Sequence, residues 1–461
     1  MYELTQGEIA NVAGDKVKTC FMVPLYNRNN DITGALLICF NRDIELDVRS
    51  RIGFVREFIG FNEIVLEHLE KVEEQTNLFH SFVMMTASAV DAKSPYTGGH
   101  CQRVPELTRS LAQEVTDDDG DFADFELSDK EWEELLVAAW LHDCGKVSTP
   151  DFIMDKATKL ETVYDRLHEI RMRYEVLKRD ADILALQSIL DGEEVQHAEL
   201  VCAQQKAILD EEFSFIASCN LGSEFLADDK VDRLNHIAKR TWLRTLPDDI
   251  GISRHEAEKK TGQNLPVVEA VLADKPEHLF IWEEKRQLRA ESERDFKMQQ
   301  PDYQHNRGEL HNLLIRGGTL TDEDRYSINE HIVQTYLMLD QLPYPEHLKN
   351  VPIIAGSHHE RIDGKGYPLQ LAGDEIPLQG RMVAIADVFE ALTASDRPYK
   401  EAKSLSLALT IMANMVNENH LDKRLFDLFL REEVYLPYAE KFLTSAQLDD
   451  IDVNKIQHIY Q

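Results

Sequence analysis

Leu78, Phe82, Met85 and Ala89 fall on one face of a 3.6-residue repeat, and Val104, Leu107, Leu111 and Val115 fall on another, so the stretch from Leu78 to Leu141 predicts consecutive helices. Ser128 and Glu131 have the S-x-x-E spacing of a capping box, which satisfies the free N–H groups of a helix start. The apolar positions Trp132, Leu135, Leu136 and Ala139 then lead into His142-Asp143, placing that dyad at the C-terminal end of the helix. Further on, Thr321-Asp322-Glu323-Asp324 reads as a capped, acid-rich first turn, followed by Ile328, His331, Ile332, Thr335 and Leu339 with His331 on the apolar face. Beyond Pro343-Tyr344-Pro345 come the segment from Ile353 to Pro368, a Gly/Pro loop, a helix from about Gly380 to Ala394 and a helical tail from Ser404 to Gln461.

Two regions depart from this repeat. Residues 17–25 and 32–40 are β-rich runs joined by a polar turn, which predicts a hairpin, and a helix is expected from about Gly53 to Leu69. One hairpin and one helix are marginal on their own and need other parts of the protein or a second chain. Between about 160 and 315, Val163, Leu167, Ile170, Tyr174, Leu177, Ala181 and Leu184 alternate at spacings of 4 and 3, a heptad seam, with Gly192 as a break before a second arm from about Val195 to Phe215. The region reads as a helical, coiled-coil-like insertion; an amphipathic helix packed on the main core is the alternative.

At 461 residues the chain exceeds a single core, and its 43% hydrophobic and 29% charged residues fit a globular protein. No apolar run approaches the roughly 20 residues that cross a bilayer, and the start lacks the plan of a signal peptide, so a cytoplasmic chain is expected. The six cysteines form no C-x-x-C pair and are read as reduced core thiols. Asp plus Glu number 83 against 50 Lys plus Arg, a formal charge of −33, which repels DNA and long RNA; an anionic substrate must be small and met by local cations.

Candidate chemistry gathers in four clusters of nitrogen and oxygen ligands expected on helices: Tyr96-Thr-Gly-Gly-His100, His142-Asp143 with Lys146, His331, and His358-His359-Glu360 followed by Asp387. A lone histidine on an apolar face is usually a core residue. Neighbouring imidazoles on one helix diverge by about 100°, so a shared purpose for His358 and His359 requires metals approached from different directions. Imidazole plus carboxylate without thiolate suits iron, manganese or other first-row divalent ions, and a shared carboxylate can hold two ions about 3.5–4 Å apart, polarise a bridging water and clamp a phosphoryl group. Lys146, a turn beyond His142, is placed to meet phosphate as a compact cation.

The segments SPYTGGHCQRV, LHDCGKVSTPDFI, GGTLTDEDRYSINEHI and SHHERIDGKGYPLQLAGDEIPLQGRMVAIADVFEALTASDRPYK resemble the HD-GYP phosphodiesterases over residues 78 to 160 and 316 to 435. The resemblance implies that His142, Asp143 and Asp387 hold one metal, that His331, His358 and His359 hold a second, and that Asp143 bridges them. It implies further that Lys146 contacts the scissile phosphate. His100 matches a histidine of an auxiliary metal position, but three-metal members have Glu where this chain has Tyr96, which favours two ions, iron or manganese. Arg397 and Lys400 match cations that contact phosphate or guanine, with one residue more than the common spacing from Asp387, and Glu390 stands where many members have Asp. The loop Gly364, Gly366, Tyr367 and Pro368, plain turn chemistry by itself, is linked in the family to the substrate site and to docking of partner domains. The phrase VPLYNRNNDITGALLICFNR resembles the end of a GAF sensory domain.

The expected fold class is therefore mostly α: an HD-type helical bundle with a helical insertion and a small α/β GAF-like remnant. The expected divisions are 1–70 for the remnant, 78–435 for the phosphodiesterase domain interrupted at 160–315, and 436–461 for a helical tail. The expected function is metal-dependent hydrolysis of the 3′,5′-phosphodiester bonds of cyclic di-GMP. The alternatives are 3′,3′-cyclic GMP-AMP as substrate and a non-catalytic cyclic dinucleotide receptor. A homodimer and a diguanylate cyclase or other signalling domain are the further partners the resemblance and the heptad seam suggest.

Overall fold

The computed structural model describes residues 2–3, 17–26, 31–42, 49–93, 99–260, 264–282, 294–394 and 402–460, and divides into two units, Met1–Val83 and Met84–Gln461. The first holds an antiparallel sheet of β1 (Tyr2–Glu3), β2 (Thr19–Tyr26) and β3 (Ile32–Phe40). The expected hairpin is present, pairing Thr19 with Phe40 through to Leu25 with Gly34. Cys20 and Cys39 stand opposite each other, their Sγ atoms 2.7 Å apart. Cys39 is exposed, so the reading of all six cysteines as core thiols fails there, while the other five are buried. The two helical stretches expected on either side of residue 70 are one helix, α1 (Arg49–Asp91).

The second unit is mostly helical. Its bundle comprises α2 (His100–Asp117) and α3 (Asp129–Leu141), and, beyond the insertion, α7 (Asp322–Leu339), α8 (Val351–Gly356), α9 (Leu378–Thr393), α10 (Leu405–Asn417) and α11 (Lys423–Arg431). Val104, Leu107, Leu111 and Val115 of α2 are all buried, as the repeat requires, and pack with α3 and α9. Both helix starts are closed by reciprocal caps. Glu131 Oε2 accepts from the Ser128 N–H (2.8 Å), and Thr321 Oγ1 accepts from the Asp324 N–H (3.1 Å) while the Asp324 carboxylate accepts from Thr321.

In the insertion, α4 (Leu167–Leu190) and α5 (Val195–Asn220) form an antiparallel hairpin around the turn at Gly192, with Tyr174 meeting Glu212, Lys178 meeting Asp210 and Lys206 meeting Asp182. Ile170, Tyr174 and Ala181 are buried, so this part of the seam is covered by the same chain. Val163 precedes the helix and is 86% exposed, and Leu184, towards the tip, is 58% exposed. The insertion is also not purely helical. After α6 (Asp228–Ile237), β4 (Thr241–Arg244) pairs with β5 (Val267–Ala270), and β6 (Leu279–Phe280) pairs with β7 (His305–Asn306). Strands of two to four residues are too short to print a period of two on the sequence. Leu160, Ile170, Tyr174, Leu209, Ile216, Leu234 and Val271 give this part a core of its own.

Ile170→Ala, which empties a fully buried position of that core, is expected to lower the unfolding free energy by about 2–5 kcal/mol. Val163→Ala, a substitution in the same heptad register, is expected to change it by no more than about 0.5 kcal/mol. Urea unfolding of the two variants separates the packed part of the seam from the part that is only periodic.

Candidate metal centre

His142 is the C-cap of α3, and Asp143 opens a 3₁₀ turn over Cys144–Ser148 that carries Lys146. This turn packs directly on α7. A Cβ built on Gly145 would lie 1.9 Å from the His331 carbonyl oxygen and 2.5 Å from the Thr335 nitrogen, so only glycine allows the approach. Thr335, one turn beyond His331, accepts from the Gly145 N–H (3.0 Å) and donates to the His142 carbonyl (3.2 Å), fixing the dyad to the helix that carries His331.

The imidazoles are oriented by a repeated device. The Nδ1 atoms of His142 and His358 lie 2.7 Å from the carbonyls of Ala139 and Ala355, and Nδ1 of His331 meets the Ile328 carbonyl, each three residues earlier. A carbonyl accepts only, so each Nδ1 carries the proton and each Nε2 presents a lone pair inward. His100 is oriented likewise, with Nδ1 2.6 Å from Glu390 Oε2; Arg103 in turn donates to Glu390 Oε1 (2.7 Å). Glu390 therefore reaches the site as a holder of His100.

Two groups result, His100 with His142 and Asp143, and His331 with His358 and His359, each with ligand atoms within 4.8 Å of one another. Asp143 joins them. Its Oδ2 lies 3.1 Å from His100 Nε2 and 3.3 Å from His142 Nε2, and its Oδ1 lies 3.2 Å from His331 Nε2 and 3.9 Å from His358 Nε2. Asp387 Oδ1 completes the first group, 3.3 Å from His100 and 3.9 Å from His142. Lys146 donates to Asp143 Oδ2, with a fifth of its side chain exposed.

Asp143 Oδ1, His331 Nε2 and His358 Nε2 are buried yet make no hydrogen bond. Three inward-facing acceptors left unsatisfied in one pocket are costly unless a cation accepts their lone pairs, so the donor set fits divalent ions of the imidazole-and-carboxylate class. The electrostatics agree. Burial opposes ionisation of Asp143, but Lys146 and the imidazoles of His142 and His100 hold its carboxyl well below the usual carboxylate range. Burial likewise opposes ionisation of Asp387, and hydrogen bonding and charge from His100 outweigh it. His358 is pushed down to about 3, and His359 well below the ordinary imidazole value, by burial and then by neighbouring imidazoles, which keeps both neutral and able to bind metal. His100 moves the other way, because Glu390, Asp143 and Asp387 outweigh its burial.

The structure thus brings together His100, His142, Asp143, Lys146, His331, His358, His359 and Asp387, all eight of the expected site residues that it describes. Arg397 and Lys400, and with them Tyr96, lie outside the described residues. Two expectations are corrected. His358 and His359 are not on a helix: α8 ends at Gly356 and both sit in the turn that follows, so their divergence comes from a turn and not from helical geometry. Glu360 is not a ligand candidate, because its two oxygens accept from the N–H groups of Leu369 (2.7 Å) and Leu371 (3.0 Å) and so tie down the Gly/Pro loop. In that loop Gly366 passes so close to Glu360 that a Cβ would sit 2.5 Å from its Cα, and Tyr367 stacks on His359 with centroids 4.9 Å apart.

Sequence reasoning missed Lys93, whose ammonium takes the carbonyls of Lys146 (3.1 Å), Val147 (2.6 Å) and Thr149, and Asp91, which accepts from the N–H groups of Gly99 and Cys101 (both 3.2 Å) at the start of α2. Neither has a local signal, since the groups they hold are 8 to 56 residues away. Thr335 was legible, standing four residues after His331 on the same helix face.

Two stretches of the chain, residues 97–210 and 266–425, match family models. Each is described as an HD domain. The chain is similar to a 3′3′-cGAMP-specific phosphodiesterase of Vibrio cholerae, 38% identical over 130 residues that cover 28% of this chain and 29% of that protein. It is also similar to a cyclic di-GMP phosphodiesterase of the same organism, 37% identical over 139 residues (29% and 28%), and to one of Thermotoga maritima, 34% identical over 131 residues (26% and 35%). The matches thus span about a third or less of the curated relatives' length.

Because His358 is neutral in the folded state down to about pH 3 but binds a proton near 6.5 when unfolded, the unfolded state binds more protons between those values and stability rises with pH across that window. Acidifying metal-free protein from pH 6.5 towards 4 is expected to cost stability by up to about 1.4 kcal/mol per pH unit from this group. The slope is expected to flatten in His358→Gln; equal slopes by urea unfolding would mean that His358 is not held neutral. Gly145→Ala is expected to destabilise the fold by about 1–3 kcal/mol and to weaken metal retention with it, read by unfolding and by metal analysis after desalting.

Proposed function

We propose that this chain is a metal-dependent cyclic dinucleotide phosphodiesterase of the HD-GYP type, acting on the 3′,5′-phosphodiester of cyclic di-GMP. The observation that carries the reading is the split of the Asp143 carboxylate, one oxygen towards His100 and His142 and the other towards His331 and His358, which is what a carboxylate shared by two ions requires. The names of the similar proteins support the substrate class, since they include both cyclic di-GMP and 3′3′-cGAMP phosphodiesterases. They do not favour one base over the other, so 3′,3′-cyclic GMP-AMP remains the competing substrate.

In this reading His142, Asp143 and Asp387 would hold one iron or manganese ion, with His100 beside them as an auxiliary ligand, and His331, His358 and His359 would hold the other. When bound, such ions supply Lewis acidity towards the phosphoryl oxygens and a nucleophile at neutral pH. The residues of the chain do the rest. Asp143 sets the separation of the two sites, and the backbone carbonyls of Ala139, Ile328 and Ala355 keep three imidazoles in the ligating tautomer. Lys146, on the open side, meets a non-bridging oxygen of the substrate phosphate and stabilises the charge that develops there, while Asp143 keeps its ammonium in place. In hydrolysis, water oxygen bonds to phosphorus as the 3′-oxygen leaves with a proton, opening the ring. Arg397 and Lys400 are proposed as further phosphate or guanine contacts, and residues 1–70 as the end of a GAF domain.

Protein loaded with iron or manganese is expected to turn over cyclic di-GMP, and parallel kinetics with 3′,3′-cyclic GMP-AMP give the base preference. His331→Ala is expected to lower activity and retained metal together, by at least about 10²-fold in activity. Lys146→Met is expected to keep both ions and lose turnover. Tight binding of cyclic di-GMP with no hydrolysis by the loaded wild type would replace the enzyme with a receptor.

A further inference from the structure

Within the insertion, between α4, the β4–β5 ribbon and the 276–280 turn, lies a cavity of about 720 Å³, within the range of small-molecule sites. None of the residues of the metal centre lines it. In a chain of charge −33 its wall holds seven lysines and arginines against six carboxylates. Four of the cations take up all six acids. Arg173 meets Glu309 (2.7 Å) and Glu169 (3.5 Å), Arg244 meets Glu269 (2.8 Å), and Lys260 and Lys275 reach the remainder at up to 4.0 Å.

Arg166, Lys259 and Arg307 make no ion pair within 4 Å among the described residues, although the charges of Glu309 and Glu169 reach Arg166 and that of Asp324 reaches Arg307. Arg166 donates to the backbone carbonyls of Leu160 (3.3 Å) and Arg307, and its charge acts on the Arg307 guanidinium, which burial already pushes below the usual arginine value. The Phe280 ring holds the other pair, with the Lys259 ammonium 4.0 Å and the Arg307 guanidinium 4.3 Å from its centroid. Two residues of the wall also carry a buried, unsatisfied donor, Arg307 at Nε and Trp242 at its indole Nε1. Like charges held together and partly desolvated repel one another, and an unpaired buried donor adds to the cost. A phosphate group relieves the repulsion by offering oxygens to the ammonium and to the terminal guanidinium nitrogens, and the part of the Trp242 ring that is not buried is a surface on which a base can stack.

We infer that the insertion carries a second ligand site, for a phosphate-bearing anion of mononucleotide size, formed by Arg166, Lys259, Arg307 and Trp242. This assignment is independent of the reaction proposed for the metal centre. It is tested by titrating the metal-loaded full chain with AMP and, separately, with inorganic phosphate, following tryptophan fluorescence and calorimetry. AMP is expected to bind saturably, with a fluorescence change that disappears in Trp242→Phe. Its affinity is expected to fall about tenfold in Lys259→Gln and in Arg307→Gln, the loss of one charge-assisted contact, and to stay unchanged in Lys146→Met. Lys259 is only half-buried, so Lys259→Gln keeps the test valid if the arginine variant folds poorly. AMP binding more tightly than phosphate assigns part of the recognition to the base, and equal binding assigns it to the phosphate alone; both sustain the site. No saturable binding of either probe, or binding untouched by Lys259→Gln and lost in Lys146→Met, overturns it.

Discussion

A single buried carboxylate with its two oxygens committed to different histidine groups is the constraint around which the HD region is arranged. Asp143 is 1% exposed, and an isolated carboxylate at that depth would protonate. It stays ionised because Lys146 and the imidazoles of His100 and His142 surround it, and it holds its position because the turn after it is seated on α7 through Gly145 and Thr335. The three-atom width of a carboxylate then sets the spacing between the two ligand groups. Helix packing and ligand geometry are thus one problem here, since the contact that closes the bundle is also the contact that aligns His142 with His331.

The histidines show the same economy. Three of the site imidazoles use a carbonyl three residues back as the acceptor for Nδ1: His142 and His358 at helix ends, where the last carbonyls lack intrahelical partners, and His331 within α7. Placing His142 and His358 at or just past helix ends satisfies the backbone and points Nε2 into the pocket at once. The Nδ1 of His100 takes Glu390 instead, whose other oxygen accepts from Arg103. Behind His359 the loop is kept in shape by Glu360, whose burial raises its carboxyl and whose accepted N–H groups pull against that rise.

The insertion is built separately, on its own core of Leu160, Ile170, Leu209, Ile216 and Val271. Its hairpin is closed by its own chain, and its short ribbons frame a cavity whose cations are concentrated where the remainder of the protein is acidic. A strongly negative protein can bind small anions only where cations are gathered and partly shielded from the overall field, and both the Lys146 side of the metal centre and the Arg166, Lys259 and Arg307 group meet that condition.

Local pattern alone determined the hairpin of residues 19–40, the capped starts at Ser128 and Thr321, the buried faces of α2 and α7, and the identity of the metal-type residues. These depend on repeats of two or 3.6 residues and on side chains that bond to backbone within one turn. The exit of His358 and His359 from the helix, the turning of Glu360 into its loop, the two-stranded ribbons and the bracing by Lys93 and Asp91 were decided by tertiary structure. Each is settled by a partner many residues away or by a close approach such as that of Gly145 to the His331 carbonyl, and no short-range periodicity records it. The residues at the centre could be named from the chain, but the division of one aspartate's oxygens between two groups exists only once α2, α3, α7 and α8 are packed, because it is a distance between residues 43 to 215 positions apart.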